Sequence, residues 1–159
     1  SQLVEGLQHG LRSSKNKSNR ELTDTFFSVA KNYSFPSPPH AKSHRGLDFW
    51  ASWCGPCLVA MPKIETLRQT IDSDEFVVLA VNVDRNSKKA RKFLTKIGVG
   101  YDSLVDEQGR VSASYGLNAM PSSYVINRAG VVTKVHEGFR DGDEDELRAH
   151  IKAVIDSGA

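Results

Sequence analysis

Short apolar runs alternate with amphipathic stretches over most of the chain. The apolar runs predict buried strands at 47–50, 76–83, 103–106, 124–127 and 131–137. Apolar residues that recur every three or four positions predict helices over about 57–70, 87–97 and 111–115, and again from about 143. A tight turn at 128–130 joins the last two runs as a hairpin. Strands that alternate with helices in this way are typical of an α/β fold.

Residues 1–45 do not continue this pattern. They include a polar run at 13–20 and a proline-rich stretch at 35–39, which predict irregular or partly disordered chain. We therefore divide the chain into an N-terminal segment, 1–45, and one α/β domain, 46–159. At the start of this domain only residues 47–50 are apolar, whereas a central parallel strand usually has a longer apolar run. A short strand is expected there.

The charge of the chain is unevenly distributed. Residues 1–45 contain seven Lys/Arg and three Asp/Glu, and residues 46–159 contain fourteen and sixteen. The basic N-terminal segment lacks interleaved aromatic residues and a dense Lys/Arg run, so no nucleic-acid partner is expected. The chain contains no run of about 18 apolar residues, so no membrane span is predicted. No signal peptide is visible either. A trimmed chain would look the same, so this observation does not assign the protein to the cytoplasm.

The candidate chemistry lies in residues 48–57, Asp-Phe-Trp-Ala-Ser-Trp-Cys-Gly-Pro-Cys. Cys54 and Cys57 are the only cysteines, and they stand where an apolar run ends and a predicted helix begins. A helix N-terminus stabilises a thiolate through free backbone N–H groups and the helix dipole, so this placement indicates a redox dithiol. Pro56 suits the first helical turn, where its missing N–H would have no partner. We expect Cys54 to attack and Cys57 to resolve the mixed disulfide.

Two other uses of the cysteine pair fit its spacing less well. A purely structural disulfide would close so small a loop that it would stabilise the fold little. A zinc site normally needs four ligands, but the chain has no second cysteine pair, and His136 and His150 lack ligand-like spacing. We therefore expect a redox-active disulfide and no bound metal.

The run from Asp48 to Cys57 closely resembles the active-site motif of the thioredoxin superfamily. Residues 76–106 are similar to the extra βαβ unit of the TlpA/ResA/DsbE group of thiol–disulfide oxidoreductases. The resemblance covers residues 46–159 and implies a thioredoxin-like α/β fold, with a central mixed β-sheet flanked by helices and a βαβ insertion at about 76–106. It also implies reduction of protein disulfides without a bound metal or organic cofactor, since the Gly-Pro pair between the cysteines favours the reductive direction.

The same resemblance implies roles for residues outside the cysteine pair. Asp48, on the strand before the motif, would accept the proton of Cys57. Met120-Pro121 stands where the superfamily has a cis-proline that faces the dithiol and pairs with the substrate backbone. The expected substrate-binding residues are Trp53, Gly55, Pro56, Met120 and Pro121.

Two positions depart from the relatives. Some reductases of the TlpA/ResA group have a carboxylate three residues after the second cysteine, where Ala60 stands here. In thioredoxin a lysine partners the buried aspartate, and Ala80 is expected at that position. Proton handling is therefore expected to depend on Asp48 and water.

By resemblance, the protein would act outside the bacterial cytoplasm, in the periplasm or anchored to a membrane, although the residues alone leave the cytoplasm open. It would be a monomer, kept reduced by a membrane-bound electron donor, with protein thiols and disulfides as substrates and a role in cytochrome c maturation. Two alternatives stay open. One is a thioredoxin-like module that binds proteins without catalysis. The other is a peroxidase-like antioxidant enzyme, although the Pro-x-x-x-Thr/Ser-x-x-Cys setting of such enzymes is absent.

Overall fold

The computed structural model describes residues 3–4, 43–72 and 74–158, so the predictions for the rest of residues 1–42 lie outside the described residues. Its elements in chain order are β1 (Leu3–Val4), β2 (His44–Trp50), α1 (Gly55–Gln69), β3 (Phe76–Asn82), α2 (Ser87–Ile97), β4 (Asp102–Val105), α3 (Arg110–Tyr115), β5 (Ser122–Ile126), β6 (Val132–Glu137) and α4 (Asp143–Asp156). Within these ranges, no helix combines the length and the apolar character needed to cross a bilayer.

The strands form one mixed sheet in the order β1-β4-β3-β2-β5-β6. The pairs β1–β4, β4–β3 and β3–β2 are parallel, whereas β2–β5 and β5–β6 are antiparallel. β2 therefore lies between the parallel and the antiparallel parts of the sheet. The cysteine motif follows β2 directly, at the carboxyl end of the parallel strands, where the active sites of α/β sheets usually lie.

β2 is longer than the sequence predicts. It begins at His44 rather than at residue 47, and it pairs with β3 over all seven of its residues. His44 and Arg45 are buried despite their polar side chains. At Gly46 a Cβ atom would lie 2.8 Å from Cζ of Phe76, so the glycine lets the Phe76 ring pack against the strand. The expectation of a short strand is wrong because backbone pairing, not an apolar run, extends β2.

The side chains of β2 point alternately into two core layers. Leu47 and Phe49 belong to the layer that contains α3, and Trp50 belongs to the layer that contains α1 and α4. Asp48 has the same parity as Trp50, and it lines a cavity together with residues of α1 and α4. The carboxyl group of Asp48 is therefore buried beneath the helix that carries the cysteines.

β3, α2 and β4 form the βαβ unit that the sequence predicts within residues 76–106. The Asn86 side chain caps α2 by accepting a hydrogen bond from the backbone N–H of Lys88 at 3.0 Å. The ring of Phe93 on α2 packs 6.0 Å from the ring of Trp50 on β2. That this unit is an insertion into a simpler thioredoxin pattern remains a prediction.

Candidate active site

Cys54 and Cys57 form a disulfide at the start of α1. Cys54 is the N-cap residue, and its Sγ accepts a hydrogen bond from the backbone N–H of Cys57 at 3.2 Å. The first turn of α1 has no acidic residue. The helix dipole and this N–H group can therefore stabilise negative charge on Sγ of Cys54 without a competing carboxylate.

The two cysteines differ in access. Cys54 is 5% exposed, whereas Cys57 is 0% exposed. An incoming sulfur atom can reach Cys54 from solvent but meets no exposed surface of Cys57. This difference supports the predicted order, in which Cys54 attacks and Cys57 resolves.

Three of the predicted substrate-binding residues form an open face beside the disulfide. Trp53 is 69% exposed, which is the highest exposure of any large hydrophobic side chain among the described residues. Gly55 and Pro56, in the first turn of α1, are also exposed. An exposed tryptophan next to a nucleophilic cysteine offers a partner an apolar contact. The substrate-binding roles of these residues remain predictions.

The other two predicted substrate-binding residues precede β5. The Met120–Pro121 peptide bond is cis, as the resemblance implies. Met120 packs against the core cluster that contains both cysteines. The carbonyl oxygen of Pro121 accepts a hydrogen bond from the backbone N–H of Gly138 at 2.8 Å, which connects the start of β5 to the end of β6. Contact of this segment with a substrate backbone remains a prediction.

Asp48 is a buried carboxyl group with incomplete hydrogen bonding. It is 2% exposed, and its Oδ1 accepts a hydrogen bond from the Ser123 hydroxyl at 2.8 Å. Its Oδ2 is buried without a hydrogen-bond partner among the described residues. Burial raises the pKa of Asp48 to about 7, and the Ser123 hydrogen bond opposes this shift only in part. The group can therefore change its protonation near neutral pH, as a general acid–base residue must.

The surroundings of Asp48 on the sheet explain why burial dominates. Its register partner on β3 is Ala80. This is the position at which thioredoxin is expected to have a lysine, and Ala80 offers only a methyl group. Its register partner on β5 is Ser123. Ala60, at the other position that departs from the relatives, is fully buried on α1. Within the described ranges, Ser123 supplies the one hydrogen bond that Asp48 receives.

A cavity of about 30 Å³ adjoins Asp48. Asp48 and Ser123 line it on the sheet side, and Ile64 of α1 and Leu147 of α4 line it on the helix side. The surface that lines it is apolar, and apolar cavities stay dry, so it is not a site for an ordered water molecule. No direct hydrogen bond joins Asp48 to Cys57 in the described part of the chain. Water as the carrier of protons to and from Asp48 remains a prediction.

A second buried aspartate, Asp84, fixes the turn that leads to Cys54. Asp84 accepts hydrogen bonds from the Ser52 N–H at 2.9 Å, the Ser52 hydroxyl at 3.0 Å and the Asn82 side-chain amide at 2.8 Å. The backbone N–H of Val83 also donates to the carbonyl oxygen of Trp50 at 2.9 Å. The sequence analysis missed this network. The available signal was two polar residues, Asn82 and Asp84, at the carboxyl end of a buried strand.

Fold and site together define a protein of the thioredoxin superfamily. The family model described as Redoxin matches residues 41–151, which is more than half of the chain, and the chain belongs to this family. The solved structure assigned as thiol:disulfide interchange protein DsbE from Chlorobium tepidum is similar over 72% of this chain and 82% of that chain. The two share 36% identity with a TM-score of 0.70.

Curated relatives give the same picture over part of their length. The chain is 28% identical over 108 residues to thiol-disulfide oxidoreductase ResA of Geobacillus thermodenitrificans, covering 68% of this chain and 61% of that protein. It is 33% identical over 105 residues to thioredoxin-like protein YneN of Bacillus subtilis, covering 64% and 61%. The chain thus spans about three fifths of the length of these relatives.

Proposed function

We propose that the protein is a thiol–disulfide oxidoreductase that reduces protein disulfides. The observation that carries this proposal is the Cys54–Cys57 disulfide, placed so that the more accessible sulfur caps α1 and accepts the Cys57 N–H. A static structural bridge would need neither the exposure of Trp53 nor a helix start free of carboxylates. The names of the relatives, thiol-disulfide oxidoreductase and thiol:disulfide interchange protein, support the same chemistry.

The reaction conserves sulfur bonds and electrons. In the reduced protein, the Cys54 thiolate attacks one sulfur of a substrate disulfide, and the other substrate sulfur leaves as a thiolate. The Cys57 thiolate then attacks Sγ of Cys54 and releases the second substrate sulfur. The substrate gains two electrons and two protons, and the protein keeps the Cys54–Cys57 disulfide. An upstream dithiol must then reduce this disulfide for the next turnover.

Asp48 serves the second step as the proton acceptor for Cys57. Burial raises the pKa of Asp48 to about 7, so a large fraction of the carboxyl group is ionised at neutral pH and can accept a proton. Since no direct hydrogen bond joins Asp48 to Cys57 among the described residues, a water molecule relays the proton between them. Ser123 positions the acceptor because its hydroxyl holds Oδ1 at 2.8 Å.

We also propose where the protein acts, which donor reduces it and which proteins it reduces. The protein acts as a monomer outside the cytoplasm, a membrane-bound donor reduces it, and its substrates include proteins of cytochrome c maturation. The similarity to ResA and DsbE supports this setting. Trp53, Gly55, Pro56, Met120 and Pro121 form the face that receives the substrate chain.

Trapping the mixed disulfide tests the reaction. Cys57→Ser leaves the attacking thiol without its resolving partner. Incubation with insulin whose disulfides are intact should therefore give a covalent adduct that dithiothreitol releases. Cys54→Ser is the matched control, and it should form no adduct and reduce no insulin. If Cys54→Ser behaves like the parent protein in insulin binding and the parent reduces nothing, the chain is a non-catalytic binding module instead.

A further inference from the structure

A concentrated basic surface lies on α2 and the loop before it. Residues 85–97 contain six Lys/Arg residues and no Asp or Glu, although residues 46–159 as a whole have more acidic than basic residues. The six residues are all exposed: Arg85, Lys88, Lys89, Arg91, Lys92 and Lys96. We call four of them, Arg85, Lys88, Lys89 and Lys92, the basic rim.

An open pocket of about 500 Å³ lies between part of the basic rim and Trp53. Its lining includes Ser52, Trp53, Asp84, Arg85 and Lys89. Trp53 immediately precedes Cys54 in the chain. A chain segment that lies in this pocket therefore contacts the exposed side chain next to the attacking cysteine.

The position of the basic rim relative to the dithiol is fixed by buried contacts. Asp84 directly precedes Arg85 and holds both the N–H and the hydroxyl of Ser52, two residues before Cys54. Farther along α2, the Phe93 ring packs 6.0 Å from Trp50. The positive charges are therefore held at the edge of the active site and do not depend on a mobile loop.

The cations of the basic rim have no carboxylate partner among the described residues. In the part of the chain that the structure describes, Arg85, Lys88, Lys89 and Lys92 form no ion pair with a carboxylate. The nearest carboxylates have other contacts: the Asp84 side chain is occupied by three hydrogen bonds, and Glu107 accepts the N–H of Ser87 at 3.0 Å. An ordinary solvated helix commonly intersperses carboxylates among its lysines, and α2 has none.

The acidic surface at the start of α4 shows the opposite arrangement. Its carboxylates already contact basic side chains of the protein. Lys63 contacts Asp141 and Glu144, Lys134 contacts Glu146, His136 contacts Asp143, and Arg148 contacts Asp145. Each of these carboxylates therefore already contacts a basic side chain of the protein, whereas the basic rim presents positive charge to a partner. A field of this kind attracts groups of opposite charge and raises their association rate.

We propose that the basic rim is a docking surface for an acidic segment of the protein substrate, next to the disulfide that the substrate presents to Cys54. This inference rests on the proposed function and names the substrate class of the same site. The carboxylates of the segment meet Arg85 and Lys89 across the pocket, and its apolar part contacts Trp53. Substrates with Asp or Glu near their cysteines are therefore reduced faster than substrates with neutral flanks.

The test compares two short synthetic peptides with an intramolecular disulfide. They are identical except that one has Asp and the other Asn beside the cysteines. The second-order rate constant for reduction by the reduced protein is measured for each peptide, with the neutral compound hydroxyethyl disulfide as a reference. We expect the Asp peptide to react roughly tenfold faster at low salt, and this ratio to fall towards one at about 0.5 M NaCl.

Two charge-matched double variants locate the effect. Arg85→Glu/Lys89→Glu should bring the ratio of the two peptides to one or below. Arg128→Glu/Lys152→Glu changes the net charge equally and should keep the ratio. Arg128 contacts Glu75 at the amino end of β3, whereas Cys54 lies at the carboxyl end of the parallel strands, and Lys152 is an exposed residue of α4. The ratio is used because charge reversal near Cys54 also changes the reactivity of its thiol towards every substrate.

Each outcome decides the proposal. Equal rates for the two peptides in the parent protein, or a ratio that survives the rim variant, would overturn it. Binding of the rim to vesicles with anionic lipid, without any peptide preference, would replace the acidic substrate with a membrane surface. Reduction of hydroxyethyl disulfide distinguishes failure of the proposed function from failure of the docking surface. If the parent does not reduce this compound, the proposed function fails. Normal reduction without a peptide preference rejects only the docking surface.

Discussion

Two aspartates near the dithiol have almost the same burial and very different surroundings. Asp48, in the middle of β2, is 2% exposed, and Asp84, just after β3, is 3% exposed. Asp84 accepts three hydrogen bonds through both carboxylate oxygens. Asp48 accepts one, and its second oxygen has no partner among the described residues.

This contrast shows that hydrogen bonding, not burial alone, separates a structural carboxylate from a reactive one. A buried carboxylate with all its lone pairs engaged holds neighbouring chain segments together. A buried carboxylate with few donors is poised to take up a proton. Asp84 therefore fixes the turn before Cys54, and Asp48 is the carboxylate that we propose accepts the proton.

The largest expected loss of stability comes from removing the structural carboxylate. Asp84→Ala leaves the Ser52 N–H and the Asn82 amide without their acceptor, so we expect the free energy of unfolding to fall by about 3 kcal/mol. Urea unfolding of the oxidised protein measures this change. Asp84→Asn keeps the shape and one acceptor oxygen, and it should lose less. A loss below about 1 kcal/mol for the alanine variant would show that the network does not hold the turn.

Asp48→Asn should change stability in the opposite direction. Burial raises the pKa of Asp48 to about 7 from 3.8, so between these pH values the folded protein holds a proton that the unfolded chain releases. Stability from this group is therefore present below pH 4 and is lost as the pH rises through 7. The variant should be more stable than the parent at pH 8 by at most about 4 kcal/mol, and equal to it near pH 4. Urea unfolding at both pH values measures the difference.

The same variant should also be slower in turnover. Without the proton acceptor for Cys57, we expect the resolution step at pH 7.5 to slow by about tenfold to hundredfold. Stopped-flow tryptophan fluorescence during reaction with a peptide disulfide measures this step. An unchanged rate would mean that water alone handles the proton and that Asp48 has only a structural role.

Ser123→Ala removes the one hydrogen-bond donor that Asp48 has among the described residues, and so increases the contrast with Asp84. Loss of this hydrogen bond to the ionised carboxylate should raise the pKa of Asp48 further, and move the midpoint of the pH–rate profile upward by roughly one unit. Ser122→Ala is the matched control, since the Ser122 hydroxyl donates to the carbonyl oxygen of Ala119 at 2.7 Å instead. The control should keep the midpoint of the parent. A shift in both variants would indicate a general disturbance of β5.

The smallest expected effect is that of Ser52→Ala. This variant removes the hydroxyl that donates to Asp84 at 3.0 Å but keeps the backbone N–H that donates at 2.9 Å. We expect a loss of about 1 kcal/mol in the free energy of unfolding, clearly less than for Asp84→Ala. Chemical denaturation of the two variants side by side measures the ratio. Equal losses would mean that the hydroxyl, rather than the carboxylate, organises the turn.

Much of the fold could be predicted from the sequence because its elements depend on local periodicity. The apolar stripe of α1 and the apolar run of β3 are visible in the residues themselves. The start of β2 could not be found in this way. His44 and Arg45 are polar yet buried. Their pairing with β3, some thirty residues later in the chain, and that of Arg45 with β5 make them part of a strand.

The residues of the candidate site could likewise be predicted where a local motif carries them, but not where they depend on distant contacts. The Cys54–Cys57 pair and the cis bond before Pro121 could be predicted because short motifs of the superfamily carry them. The role of Ser123 could not, since it depends on the register that places it opposite Asp48. The contact of Ser52 with Asp84 likewise joins residues 32 positions apart, and no spacing rule predicts it.

The reduction potential of the Cys54–Cys57 pair tests the central claim most directly. The protein is equilibrated in dithiothreitol and glutathione buffers, and its free thiols are trapped and counted. We predict reversible two-electron exchange with a potential of about −250 mV or lower, as expected for a reductase. A potential near about −120 mV would contradict the reductive direction. Absence of reversible exchange would contradict the redox role of the disulfide itself.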